Sequence, residues 1–214
     1  MEDEEPNSRP GTGRFERWRT YAEISDLGPI ARRYFVMNAF DGALTMLGVV
    51  IGASMARMDD PVIIIAAGIS GSFAMGISGF SGAYMAESAE RTKELKDIEA
   101  AMCMPMKDEA LQKEAAAFAT KVTALVDAVS PAIAALIVIS PYFLVSMGIL
   151  SWSAAFLASL GITFAILAVL GVYLARVTHE SMLRHGLKML IVGIVTAILC
   201  VIVSVLLGGE VVVG

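Results

Sequence analysis

Hydrophobic positions along this chain fall in long unbroken runs, not in strand-like alternation. Five runs reach the roughly 20 apolar residues that a helix needs to cross a hydrocarbon layer ~30 Å thick. They are Tyr34–Ala56, Val62–Ala86, Val122–Met147, Trp152–Ala175 and Leu187–Leu207. The first holds Asp41 as its only formal charge, and the second and fourth hold none. The third carries Asp127 near its start with Pro131 and Pro141 inside, and the fifth has Lys188 at its edge. Strands of a membrane barrel are shorter and alternate polar with apolar residues, which these runs do not. The pattern predicts an all-α integral membrane protein with five transmembrane helices.

Polar residues gather between the runs, and their signs set an orientation. Of the 16 Lys and Arg residues, fifteen fall on one side when the connectors are summed alternately: before the first run, between the second and third, and between the fourth and fifth. Arg57 stands alone on the other side. Positive connectors stay cytoplasmic, so the amino terminus is expected inside, the carboxy terminus outside, and the chain in the cell (cytoplasmic) membrane. Only an odd number of spans keeps this partition.

The expected organisation is a disordered acidic tail over residues 1–12, a short amphipathic helix over 13–28, and a membrane domain over 29–214. The helix is read as interfacial, because Phe15, Trp18 and Ala22 share a face while Arg14, Glu16 and Arg17 point elsewhere; an arginine-rich flexible arm is the alternative. Gly28-Pro29 is expected to end it. A short cytoplasmic helical insert over 87–121 joins the second and third spans.

Composition narrows the function. The 214 residues are 57% hydrophobic and 17% charged, too little charge to cover the surface of a soluble domain. Glu2, Asp3, Glu4 and Glu5 open the chain without an apolar core, which is not a secretory signal. No basic and aromatic patch points to nucleic acid. Cys103 and Cys200 form no disulfide framework, and nothing calls for a bound cofactor.

Chemistry is therefore sought among the few polar groups inside the spans. An aspartate mid-span costs about 2.5–3.5 kcal/mol on insertion scales, and such residues face a cavity or a partner and mark ion or proton paths. Asp41 is the clearest case. Met37 and Asn38 lie one turn before it and Thr45 one turn after, with Gly48 and Gly52 following. That face offers oxygen and sulfur donors, then small residues that let helices approach closely. A protonated Asp41 bonded to a neighbouring helix is the plainer alternative. Asp127 lies near the cytoplasmic end of its span, within reach of water, and carries less weight.

On the second span, Gly68, Ser72, Gly79 and Gly82 supply small residues with Met75 among them. From Met75, steps of three or four reach Glu87, Glu90, Glu94 and Asp97, a carboxylate ladder suited to divalent metal. Ordinary surface pairs such as Glu87/Arg91 and Glu90/Lys93 are the competing reading. Met102, Cys103, Met104 and Met106 around Pro105 bring soft donors, or simply apolar packing under a turn. His179 and His185 are six apart, so they do not align on a helix as paired ligands and are read as interface residues.

Four segments resemble a known family. Asn38–Ala53 (NAFDGALTMLGVVIGA), Ala74–Arg91 (AMGISGFSGAYMAESAER), Ser130–Tyr142 (SPAIAALIVISPY) and Gly171–Leu199 are similar, in order, to spans of the vacuolar iron transporter family. The resemblance implies a five-span homodimer with a path between the two first spans, exporting Fe²⁺ or Mn²⁺ from the cytoplasm in exchange for protons. By position it implies Asp41 as the in-membrane carboxylate ligand, Met75 as the methionine facing it, and Glu90 and Asp97 among the metal-gathering acids. Ser78-Gly79-Phe80 stands where the family commonly has Gly-Glu-Phe/Tyr, and the insert is shorter and less acidic than in the plant carriers.

The expected function is thus a divalent transition-metal transporter, with metal ions, protons and the lipid bilayer as partners and no catalytic reaction. A membrane metal sensor or scaffold without transport is the first alternative. An intramembrane aspartyl protease using Asp41 and Asp127 is the second, although the contexts FDG and VDA lack the Gly-x-Gly-Asp motif of such enzymes.

Overall fold

The computed structural model describes residues 14–58, 60–102 and 109–209. The acidic tail 1–12 and the Cys103–Lys107 part of the sulfur-rich turn lie outside the described residues. Six helices follow one another: α1 (Arg14–Ile24), α2 (Leu27–Met55), α3 (Pro61–Met102), α4 (Glu109–Ser146), α5 (Trp152–Thr178) and α6 (Met182–Leu206). No strand occurs among the described residues. The five helices after α1 are each long and apolar enough to span a bilayer. Leu183, Leu206 and Leu207 are at least four-fifths exposed, with Ile191, Ile198 and Ile202 also open. So much outward-facing apolar surface is stable against lipid, not water, and the chain is a multi-pass membrane protein.

The first helix ends earlier than the sequence reading places it. The break between α1 and α2 falls at Asp26, whose φ of 46° is left-handed, and not at Gly28-Pro29. Pro29 instead sits in the first turn of α2, where a backbone N–H has no intrahelical acceptor and its loss costs nothing. The short helix therefore ends at Ile24 instead of residue 28. It is docked to α4: Trp18 stacks on Phe118 with centroids 6.2 Å apart, Tyr21 donates to Glu114 at 2.5 Å, and Ser25 donates to the Ala115 carbonyl at 2.9 Å.

The insert over 87–121 is helical in its described residues, as expected, and is continuous with the spans. α3 runs on past its apolar stretch and α4 begins well before its own, so residues 87–102 and 109–121 extend the two spans as a helical hairpin.

α4 is the centre of the bundle, packed between α2 and α3, with α5 behind. Val138, Ile139 and Tyr142 of α4 are fully buried with Met46 and Val50 of α2, Ile64 of α3 and Leu167 of α5. Its two prolines each withhold an N–H from the carbonyl four residues earlier. At Pro141 the loss is met locally, since Ser140 Oγ donates to the Ile137 carbonyl at 2.7 Å. At Pro131 the proline meets a glycine across the helix crossing. A Cβ on Gly42 would stand 2.3 Å from the Pro131 oxygen and 2.6 Å from its Cα. Only glycine lets the backbones of α2 and α4 come this close.

Candidate functional site

Helical spacing places Met37, Asp41, Thr45, Gly48 and Gly52 along one stripe of α2; its first three members lie on the open side of the helix, while Gly48 meets Cys200 of α6, whose Sγ would stand 3.5 Å from an added Cβ. Met37, Asp41 and Thr45 are exposed, while Ala39, Ala43, Met46 and Val50 turn into the core. Asp41 opens into a cavity of about 580 Å³ between α2, α5 and α6. Asn38, Met37 and Tyr173 share its wall, and Arg32 and Arg33 stand on the same wall toward the start of α2. Thr45, one turn on, does not line this cavity.

Asn38 connects this cavity to a second polar point. Its side-chain amide donates to the Tyr34 carbonyl at 2.9 Å and to Asp127 Oδ1 on α4. Both donors are thereby engaged, which leaves the amide oxygen of Asn38 as its free coordinating atom. Asp127 is 7% exposed, so it is buried and not water-exposed as its place in the sequence indicated. Its other oxygen faces α3, where a Cβ on Gly79 would lie 2.8 Å from Oδ2 and 3.2 Å from the Asp127 backbone oxygen. That backbone oxygen is the one denied its helical partner by Pro131. A carboxylate, a released carbonyl and an amide thus meet where α2, α3 and α4 join. Sequence reasoning underrated Asp127; a proline four residues downstream and a side-chain-free Gly79 were the available signals.

Met75 packs against the apolar core and does not line the Asp41 cavity. Gly68, Ser72, Met75 and Gly79 form the row of α3 that faces α4: a Cβ on Gly68 would reach Ile139, and Ser72 is buried. Within one protomer the structure does not bring Asp41 and Met75 together.

The carboxylate ladder divides. Glu87 turns inward with 9% exposure, accepts from Tyr34 Oη at 3.1 Å, and pairs with Arg91 Nε at 3.4 Å. Glu90, Glu94 and Asp97 stay on the exposed side, where they line a shallow cavity together with Lys93. The α4-facing row continues from Glu87 by a step of four to Arg91, not by a step of three to Glu90. Among the described residues no three His, Cys, Asp or Glu side chains converge on one point. Asp127 is also absent from the wall of the Asp41 cavity.

The fold and site define a polytopic helical membrane protein with a carboxylate of its first long helix opening onto a cavity between helices. Comparison with known proteins agrees: the model of the VIT family matches residues 32–102 and 92–205. An uncharacterized protein of Methanocaldococcus jannaschii is 34% identical over 180 residues, covering 83% of this chain and 90% of that protein. The chain belongs to the VIT family, a family of membrane metal transporters.

Proposed function

We propose that this protein moves divalent transition metal, Fe²⁺ or Mn²⁺, out of the cytoplasm in exchange for protons, acting as a homodimer in the cell membrane with its amino terminus inside. The reading rests on Asp41: a formal charge within a span, opening onto a cavity it shares with Asn38 and Met37. Oxygen donors accept manganese as well as magnesium, and a soft sulfur among them favours a later transition metal such as iron. A metal binds the deprotonated carboxylate only, so metal and proton compete for one site, which is the basis of exchange.

A second copy accounts for the exposure of Met37, Asp41 and Thr45 in a single protomer. Two such stripes facing each other supply two carboxylates and two Thr45 hydroxyls to one path. Asp127 and Asn38, joined by a hydrogen bond, provide a neighbouring pair of oxygen-bearing side chains. Where the family commonly has a glutamate this chain has Gly79, and the carboxylate beside that position is Asp127 of α4. Glu90, Glu94 and Asp97 gather cations on the extended part of α3.

The test is flux into proteoliposomes loaded with a metal-sensitive dye. Asp41→Asn should abolish Fe²⁺ and Mn²⁺ uptake while the protein inserts and remains folded. Unchanged uptake by that variant would refute the assignment. Absence of flux in the parent protein, with metal still bound, would favour the sensor reading.

A further inference from the structure

Three helices share the wall of the Asp41 cavity. From α5 it takes Tyr173, Leu174 and Val177, and from α6 Met189 alone. Met37, one turn before Asp41, is the sulfur of the α2 wall. The register between α2 and α6 sets how the two methionines stand. These spans run parallel, being first and fifth in an alternating order. They meet where a Cβ on Gly48 would lie 3.5 Å from Cys200 Sγ, and again where one on Gly209 would lie 3.2 Å from the Met55 oxygen. Eleven residues make about three helical turns, roughly 16 Å of rise, and return a side chain to its starting face. That step leads back from Gly48 to Met37 and from Cys200 to Met189. The two methionines therefore occupy one level, on facing sides of adjacent helices, and both border the same cavity. A step of seven, about two turns, leads from the same contact to Asp41 and Gly193. Gly193 has no side-chain donor, so the α6 side chain bordering the cavity beside Asp41 is Met189.

We infer that Met37 and Met189 form a thioether pair at the entrance to Asp41, a site for soft and borderline cations that sets the metal preference of the cavity. This rests on the reading of the cavity as the metal's route. Oxygen donors such as Asp41 and Asn38 accept Mn²⁺ and Mg²⁺, whereas a sulfur pair tilts the choice toward Fe²⁺. Met75 does not line the cavity, so within a protomer its sulfur comes from Met37 and Met189. Each side chain has three rotatable bonds, which lets both sulfurs swing onto one ion and release it. With the amino terminus inside, an ion from the cytoplasm meets the sulfurs first and the carboxylate one turn later.

The test measures anaerobic equilibrium binding of Fe²⁺ and Mn²⁺ to the full-length protein in neutral detergent. X-ray absorption at substoichiometric iron then reads whether sulfur lies in the metal's shell. Met37→Leu with Met189→Leu conserves volume and apolar character, so the double variant keeps its fold. Its ratio of Fe²⁺ to Mn²⁺ affinity should fall about tenfold, or ~1.4 kcal/mol, and the sulfur scattering should drop. Each single change should fall short of the double. Met147→Leu, exposed at the far end of α4, should alter neither reading. A double variant with the parent's ratio and sulfur signal, or one that loses both ions equally, overturns the inference. So does Met37→Leu alone matching the double, which would leave Met189 no part. Flux into proteoliposomes separates this from transport itself. A parent that binds iron through the pair but carries none keeps the pair and refutes transport; a carrier whose preference survives the double change keeps transport and refutes the pair.

Discussion

Replacing Gly42 by alanine tests the central contact of the bundle. The added Cβ would lie 2.3 Å from the Pro131 oxygen, 2.6 Å from its Cα and 2.8 Å from its carbonyl carbon. Carbon atoms prefer separations of about 3.5–4.0 Å, so the helices must part by roughly an ångström. The obstructing atoms are backbone, and no rotamer change relieves them. Overpacking of this kind costs typically about 1–3 kcal/mol, and the rigid partner puts this case at the upper end. Alanine returns up to about 1 kcal/mol of helix propensity. A net loss of about 2 kcal/mol follows, or roughly a thirtyfold shift toward unfolding at ~1.4 kcal/mol per decade. Separation also stretches the Asn38–Asp127 bond one turn away, so metal flux should fall with stability. Gly161→Ala is the control, because nothing lies within 4 Å of its Cβ position; it should be neutral or slightly stabilising. Equilibrium unfolding in detergent compares the two. Equal stability would show that α2 and α4 do not meet at Gly42.

Three further outcomes follow from the same geometry. Asn38→Ala removes the donor to buried Asp127 Oδ1 and should cost about 1–3 kcal/mol, read by thermal unfolding; a midpoint equal to the parent's would show that Asp127 needs no partner. Met75→Ala should slow Fe²⁺ and Mn²⁺ flux more than any residual magnesium flux, and equal losses would reduce Met75 to a packing residue. Glu87→Ala strands a buried Arg91 and should destabilise by about 3–5 kcal/mol, whereas Glu90→Ala, on the exposed side of α3, should stay within about 0.5 kcal/mol of the parent.

The number of spans was legible because burial in lipid leaves one signal, an uninterrupted apolar run, and α2 to α6 each carry it. Asp41 was legible for the same reason: a charge in such a run stands out against its neighbours. The Asp127 junction was not, because it depends on contacts between helices far apart in the chain. Asn38 and Gly79 reach Asp127 only once α4 is set between α2 and α3. The fate of Glu87 turned on a choice between helical steps of three and four, which a single helix read alone leaves open. The end of α1 was misplaced because Gly-Pro reads as a breaker, although proline is at home in a helix's first turn. Asp26, an ordinary acidic residue in the sequence, makes the left-handed turn instead.

α3 is unbroken from Pro61 to Met102, and its final sixteen residues, past Ala86, project about 24 Å at 1.5 Å per residue. A tilt imposed on that protruding arm is transmitted along one stiff rod to Gly79 and Met75. Whatever grips the arm in the aqueous phase therefore has mechanical leverage over the spacing between helices inside the bilayer, with no loop in between to absorb the displacement.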